Sequence, residues 1–205
     1  MTGLERLQVR VHYDFASTLC YVAHRVLGAM AGELEELGIA LAWTPLDLAQ
    51  LLRWPRGGAV AAERRANAER VARELGVEVH VPAVWLDSRD ALAAALTLAD
   101  DPAREAALRE RVWSAVFEEG RDPGAAGTVE ALGRELGLDF GPELLVRARD
   151  QLSFRTALAA EESVTGVPTL MLDQWPFGGI QTPETTRLVL ARWAARKRAQ
   201  AAGHA

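Results

Sequence analysis

The chain has 205 residues, 49% of them hydrophobic and 25% charged, with a formal net charge of −5, which fits one sizeable globular domain or a domain carrying a large insertion. Its arginines are interleaved with acids, so no basic nucleic-acid footprint is visible, and one cysteine excludes an intrachain disulfide or a cysteine-rich zinc site. No apolar run approaches the ~20 residues that a bilayer crossing requires, and Met1 to Leu7 lacks the apolar core of a signal peptide.

Leu7 to Phe15 alternates, with Leu7, Val9, Val11, Tyr13 and Phe15 on one side and Gln8, Arg10, His12 and Asp14 on the other. That period predicts a strand. From Ser17 to Leu37 the apolar residues recur at steps of three and four, which predicts one long helix stopped by Gly38. Ile39 to Trp43 is a short apolar run, read as a second, buried strand. Strand, helix and strand in this length make a βαβ unit with a parallel pair.

Helical periodicity then continues for more than a hundred residues. Helices are predicted over Asp47 to Trp54, Ala59 to Leu75, Ser88 to Leu98, Asp101 to Glu119 and Thr128 to Leu136, the last capped by Thr128. One more is predicted from Gly141-Pro142 and a separate one over Ser153 to Ser163, while Val77 to Asp87 reads as irregular. Strand character returns at Val167 to Leu172, with Trp175 to Phe177 as a hairpin partner after Asp173-Gln174. Thr182-Pro183-Glu184 opens a final helix, and Arg196 to Ala205 reads as a solvated tail. Folding the two ends together gives one mixed sheet flanked by helices.

Ser17 falls where the first helix begins, and Cys20 lies one turn further in. Unpaired N–H groups and the positive end of the helix dipole at that point favour a thiolate or a bound anion. Read alone, the stretch favours a Ser N-cap and a small core cysteine. Gly166-Val167-Pro168-Thr169 changes that balance. Asp14-Phe15-Ala16-Ser17-Thr18-Leu19-Cys20-Tyr21 resembles the active-site strand, loop and helix of the DsbA-like superfamily, where Cys-x-x-Cys-Tyr opens the first helix. Gly166-Val167-Pro168-Thr169 is similar to that superfamily's Gly-Val-Pro-Thr element, whose proline is cis and faces the active-site loop. Ala66 to Gly76, Pro82 and Asp87-Ser88-Arg89 resemble the insert of FrnE-type and 2-hydroxychromene-2-carboxylate isomerase members. Phe177-Gly178-Gly179-Ile180-Gln181-Thr182-Pro183-Glu184 is similar to the FrnE-type ending.

The resemblance implies an α/β thioredoxin fold (βαβ…ββα) interrupted by a large all-helical domain. Its boundaries are 1–46 and 164–205 for the thioredoxin halves and 47–163 for the insert. It implies Ser17 and Cys20 as catalytic positions and Thr18, Leu19, Val167, Pro168, Gly178 and Gly179 as substrate- or thiol-binding ones. Ser17 replaces the family's nucleophilic cysteine, so dithiol exchange within one chain is unavailable. Kappa-class glutathione transferases and the chromene-carboxylate isomerases carry a serine there, which holds the thiolate of glutathione. This chain has Thr18 where their motifs have proline, and Gly179-Ile180-Gln181 offers no carboxylate for a γ-glutamyl group.

Several readings stay open. The leading one is a DsbA/FrnE-like protein of the oxidoreductase family that binds a small thiol, with glutathione or another low-molecular-weight thiol as cofactor and no metal. A second is a glutathione-dependent isomerase or transferase; a third is a non-catalytic binding module; a fourth uses Cys20 as a lone redox-sensitive thiol. His12 and His24 read as structural. Asp14 could perturb Ser17 or Cys20, or be solvated. Trp54 and Trp85 suit a pocket or packing, and Arg64, Arg65, Arg70 and Arg73 read as a solvated face. The expectation is a cytoplasmic protein, free of nucleic acid and membrane, and a homodimer as its relatives often are.

Overall fold

The period change at Tyr13 to Ser17 becomes the junction of strand β1 (Leu7–Tyr13) and helix α1 (Thr18–Ala29), with Ser17 as the N-cap. This computed structural model describes residues 6–203. Met1 to Glu5, part of the stretch read for a leader, and the last two residues of the expected tail lie outside the described residues.

After α1 come α2 (Ala31–Glu36) and β2 (Ile39–Pro45), then six helices: α3 (Leu48–Leu52), α4 (Ala62–Glu74), α5 (Arg89–Thr97), α6 (Pro102–Phe117), α7 (Thr128–Glu135) and α8 (Pro142–Glu161). The chain returns through β3 (Thr169–Leu172), β4 (Trp175–Gly178) and α9 (Pro183–Ala202). The sheet order is β2-β1-β3-β4. β1 runs parallel to β2, and antiparallel pairings join β1 to β3 and β3 to β4. The chain thus folds as a thioredoxin-like mixed sheet with its two halves separated in sequence by helices.

Four details differ from the periodicity. The helix expected over Ser17 to Leu37 breaks at Met30, between Gly28 and Gly32, where two residues of poor helix propensity let the chain turn and keep Leu34 buried. The two helices expected after Gly141 are one. Leu145, Ala148, Leu152, Thr156 and Ala159 form a continuous buried stripe, and no glycine or proline interrupts it after Pro142. Thr128 is the first residue of α7, and Gly127, at φ +76, holds the cap position. The expected tail is helical to Ala202: Lys197 Nζ meets Asp173 Oδ1 at 2.9 Å, and an Arg198 guanidinium N–H donates to the Leu37 carbonyl at 2.5 Å.

That last contact explains Gly38, whose φ is +59 and whose missing Cβ would lie 2.7 Å from the Arg198 guanidinium. The same corner receives the start of β1. Leu7 N–H donates to the Gly38 carbonyl at 2.9 Å, and Arg6 pairs with Glu35 at 3.0 Å.

Two apolar clusters carry most of the core. Val9, Val11, Val22, Val26, Leu170, Leu190 and Trp193 pack α1 and α9 on the sheet. Tyr13, Phe15, Cys20 and Tyr21 instead share a cluster with Leu92, Leu108, Trp113, Phe117, Leu132 and Leu152 of the intervening helices. The first turn of α1 is therefore held by those helices. Tyr13 reinforces the joint: its ring meets Trp113 at 5.2 Å between centroids, and its hydroxyl donates to Glu105 Oε1 at 3.0 Å.

Candidate functional site

β1 ends at Tyr13, and the next residue organises the loop. Asp14 is 1% exposed. Its Oδ1 accepts from Ala16 N–H at 2.7 Å and from the Ser88 hydroxyl at 2.5 Å, and its Oδ2 accepts from Leu48 N–H at 2.7 Å. One carboxyl thus joins the α1 loop to the starts of α3 and α5. Burial pushes it up to about 6, opposed by these three hydrogen bonds. The solvated alternative for Asp14 is overturned: alternation put it on the polar face of β1, but here the helices cover that face as well.

Ser17 follows at 5% exposure. Its N–H donates to the Asp14 carbonyl at 3.1 Å, and its Oγ accepts from Cys20 N–H at 3.3 Å. A hydroxyl that accepts from a helix amide keeps its own proton to donate. The Thr18 and Leu19 N–H groups have no partner among the described residues, as helix geometry dictates for a first turn, and that turn carries no acidic residue. Cys20 is 0% exposed. Burial pushes its thiol up to about 12, opposed by the Ser17 hydroxyl. A thiol of that kind is a poor nucleophile, and Cys20 does not line the cavity, so its direct catalytic role is not supported by its position.

Ser17, Thr18 and Leu19 open onto a cavity of about 130 Å³. Val167 lies at its edge, preceding Pro168 across a cis peptide bond. Neither the N–H nor the C=O of Val167 is hydrogen-bonded within the protein among the described residues. Pro168 itself is buried and does not line the cavity. Gly178 and Gly179 do not reach it either. Gly178 pairs with Thr169 in the hairpin, while Gly179, at φ +80, donates its N–H to the Pro168 carbonyl at 2.8 Å. These two glycines support the Pro168 segment from behind and are not binding residues of this cavity.

The opposite wall comes from α4 and from the stretch read as irregular. Pro82, Val84 and Trp85 line it together with Arg64, Arg65 and Asn67. Gly57 N–H donates to the Trp85 carbonyl at 2.7 Å, Trp85 N–H to the Gly58 carbonyl at 2.8 Å, and Val60 N–H to the Ala83 carbonyl at 2.9 Å. This short antiparallel pairing fixes the segment. Trp85 stacks on Trp54 with centroids 4.5 Å apart, and the Arg64 guanidinium lies 4.5 Å over the Trp54 ring.

Arg64, though exposed as the solvated reading expects, and Arg65, which is half-buried, both border the cavity, whereas Arg70, paired with Glu74 at 2.7 Å, lies outside it. The signal that could have found Arg64 is its lack of any acid three or four positions away in either direction, so no helix-face partner was available.

The histidines lie elsewhere. His12 is buried with both nitrogens unpartnered among the described residues, and burial holds it at about 4. His24 meets Glu110 at 2.5 Å and lines a different cleft with Trp43 and Arg109. Burial lowers its pKa too. Among the described residues no His, Asp or Glu lines the Ser17 cavity and no metal-binding cluster occurs. A serine without a neighbouring base is not an activated nucleophile. Ser17 is placed to donate a hydrogen bond to something that enters from outside.

The family model of the DSBA-like thioredoxin domain matches residues 8–191. Among solved structures, a 2-hydroxychromene-2-carboxylate isomerase is 22% identical with a TM-score of 0.72, over 97% of this chain and 100% of its own. A probable DsbA oxidoreductase from Streptomyces coelicolor is 20% identical with a TM-score of 0.71, over 92% and 90%. A cytosolic disulfide reductase, DsbM, from Pseudomonas aeruginosa, solved with GSH, is 23% identical with a TM-score of 0.58, over 95% and 98%. No curated protein sequence matches the chain.

Proposed function

Since the chain belongs to the DSBA-like thioredoxin domain family, we propose that it is a member in which a bound low-molecular-weight thiol replaces the missing nucleophilic cysteine. The sulfur of that thiol enters as thiolate at the start of α1. There the Ser17 hydroxyl and the free Thr18 and Leu19 N–H groups donate to it, and the helix dipole favours its charge. The Val167 N–H and C=O pair with the amide part of the ligand, in the manner of an added strand. Cys20 stays in the core beneath and completes no dithiol pair. The observation that carries the reading is the position of Ser17: a capping hydroxyl on the cavity wall, facing an open helix end with no competing acid.

Glutathione is the first thiol to test. A reduced thiol as ligand is consistent with the cytoplasm as the expected compartment, since free thiols persist in reducing surroundings. The stacked Trp54 and Trp85 beside the cavity favour a second version, a glutathione-dependent isomerase or transferase with a flat apolar co-substrate.

Thermal unfolding of the full chain with glutathione, and with S-methylglutathione as the blocked control, tests the proposal. Glutathione is expected to raise Tm, the blocked form to raise it less, and Ser17→Ala to abolish the difference. Equal shifts for both compounds, or no shift with glutathione, cysteine or mercaptoethanol at millimolar concentration, overturn it and leave a non-catalytic binding module.

A further inference from the structure

The far side of the cavity holds two cations with nothing to neutralise them. Of the other arginines of this region, Arg56 pairs with Asp47 and Asp87, Arg89 with Asp87 and Arg70 with Glu74, while Arg53 and Arg73 have no carboxylate partner among the described residues and do not line the cavity. Arg64 and Arg65 have no carboxylate partner among the described residues, and Arg65 Nε is buried without any hydrogen-bond partner. A buried guanidinium N–H left unsatisfied is costly, and the group that satisfies it best is a planar carboxylate taking two parallel hydrogen bonds. What sets these two cations apart from the chain's other unpaired arginines is that both line the cavity that Ser17 opens onto.

From this arrangement we infer that Arg64 and Arg65 form a carboxylate subsite across the cavity from Ser17, with Trp85 as the flat apolar surface for the body of the acid. Arg64 is held in place by its stacking over Trp54, which in turn stacks on Trp85, so the cation and the apolar wall are built as one unit. Arg65, half-buried where Arg64 is exposed, is the better shielded of the two cations. Asn67, on the same turn of α4, adds an amide to the lining. The site takes an acid with a flat apolar portion. The inference deepens the function proposed above and rests on it only in taking this cavity as the ligand site.

Isothermal titration of the full chain with benzoate, and with benzamide as its neutral analogue, tests it. Benzoate is expected to bind, and benzamide to bind at least about tenfold more weakly. Arg65→Gln is expected to remove that preference and Arg65→Lys to restore part of it, while Arg70→Gln, outside the cavity, leaves it intact. Equal binding of the two probes, no binding of benzoate, or full benzoate affinity in folded Arg65→Gln overturns the inference. The comparison of probes on the unaltered chain decides the matter even if a variant does not fold. Ser17→Ala keeps benzoate binding while losing the glutathione shift, so failure of the thiol reading and failure of the carboxylate reading are told apart. Titration of benzoate in the presence of glutathione then says which molecule carries the acid. Competition puts it on the thiol and joint binding puts it on a second substrate; both support the subsite.

Discussion

The wall that carries Ser17 is fixed from beneath by one buried carboxylate holding three chain segments, whereas the wall facing it rests on stacked indoles, a guanidinium and a few backbone hydrogen bonds nearer the surface. The first wall belongs to the sheet and α1 and shares a core cluster with the helices of the insert. The second is drawn from α4 and from a segment without regular structure. The hydrogen-bond donors thus sit on a wall tied into the core, and the apolar and cationic lining on a wall with fewer ties to it.

The widest contrast between the walls is in stability. Asp14→Ala leaves the Ala16 and Leu48 amides and the Ser88 hydroxyl without their acceptor, and a loss of about 3 kcal/mol is expected in urea unfolding. Trp85→Ala on the opposite wall is expected to lose less than half of that.

A pH series sharpens the comparison further. The Asp14 carboxyl is raised in the fold from 3.8 to about 6, so the folded state binds the proton more tightly than the unfolded one. Stability from this group is full below about pH 4 and declines as pH rises to about 6. His12 is lowered from 6.5 to about 4, so the unfolded state takes up the proton first. Its contribution is full above about pH 6.5 and is lost as pH falls toward 4. Each difference is worth about 3 kcal/mol, with opposite sign over nearly the same interval. These two groups are expected to offset one another in the unaltered protein. Asp14→Asn exposes a stability that climbs with pH between 4 and 6.5, and His12→Gln exposes one that falls, both readable from chemical unfolding across that range.

Smaller effects follow at the helix start. Ser17→Ala removes a capping acceptor and is expected to cost about 1 kcal/mol in unfolding free energy, with a far larger loss in thiol binding. Cys20 gives the smallest response. A soluble maleimide is expected to leave the native chain unmodified between pH 5 and 9 and to label it fully in denaturant; native labelling in that range would move the chemistry from Ser17 back to Cys20.

The wall with the hydrogen-bond donors was the more legible of the two. Alternation from Leu7 and the three- and four-residue steps after Ser17 marked β1, the cap and α1, because those patterns follow directly from which side chains must leave water. The motif marked the Val167–Pro168 segment, which puts Val167 at the cavity edge and the buried Pro168 behind it. Asp14 was obscured because periodicity reports one buried face and β1 has cover on both near its end. Arg64 and Arg65 were obscured by composition: an alanine- and arginine-rich helix looks solvated on every side until a second segment, here 81–85, is seen to lie across it. The division of α8 into two was an error of the same kind, since its weak amphipathicity hid a stripe that never breaks.

The corner between α2 and β2 collects the start of β1 and the last turns of α9, with Arg6 and Leu7 arriving from one side and Arg198 from the other. In topological terms residues 6–198 form nearly a closed ring whose clasp is Glu35, Leu37 and Gly38. A circular permutant that joins residue 203 to residue 6 through a flexible linker, and opens the exposed turn at 124–127, would therefore keep every strand pairing in place. A donor–acceptor dye pair attached at residues 6 and 202 would sit at short range in the folded protein and separate when the fold is lost, giving a readout of global unfolding.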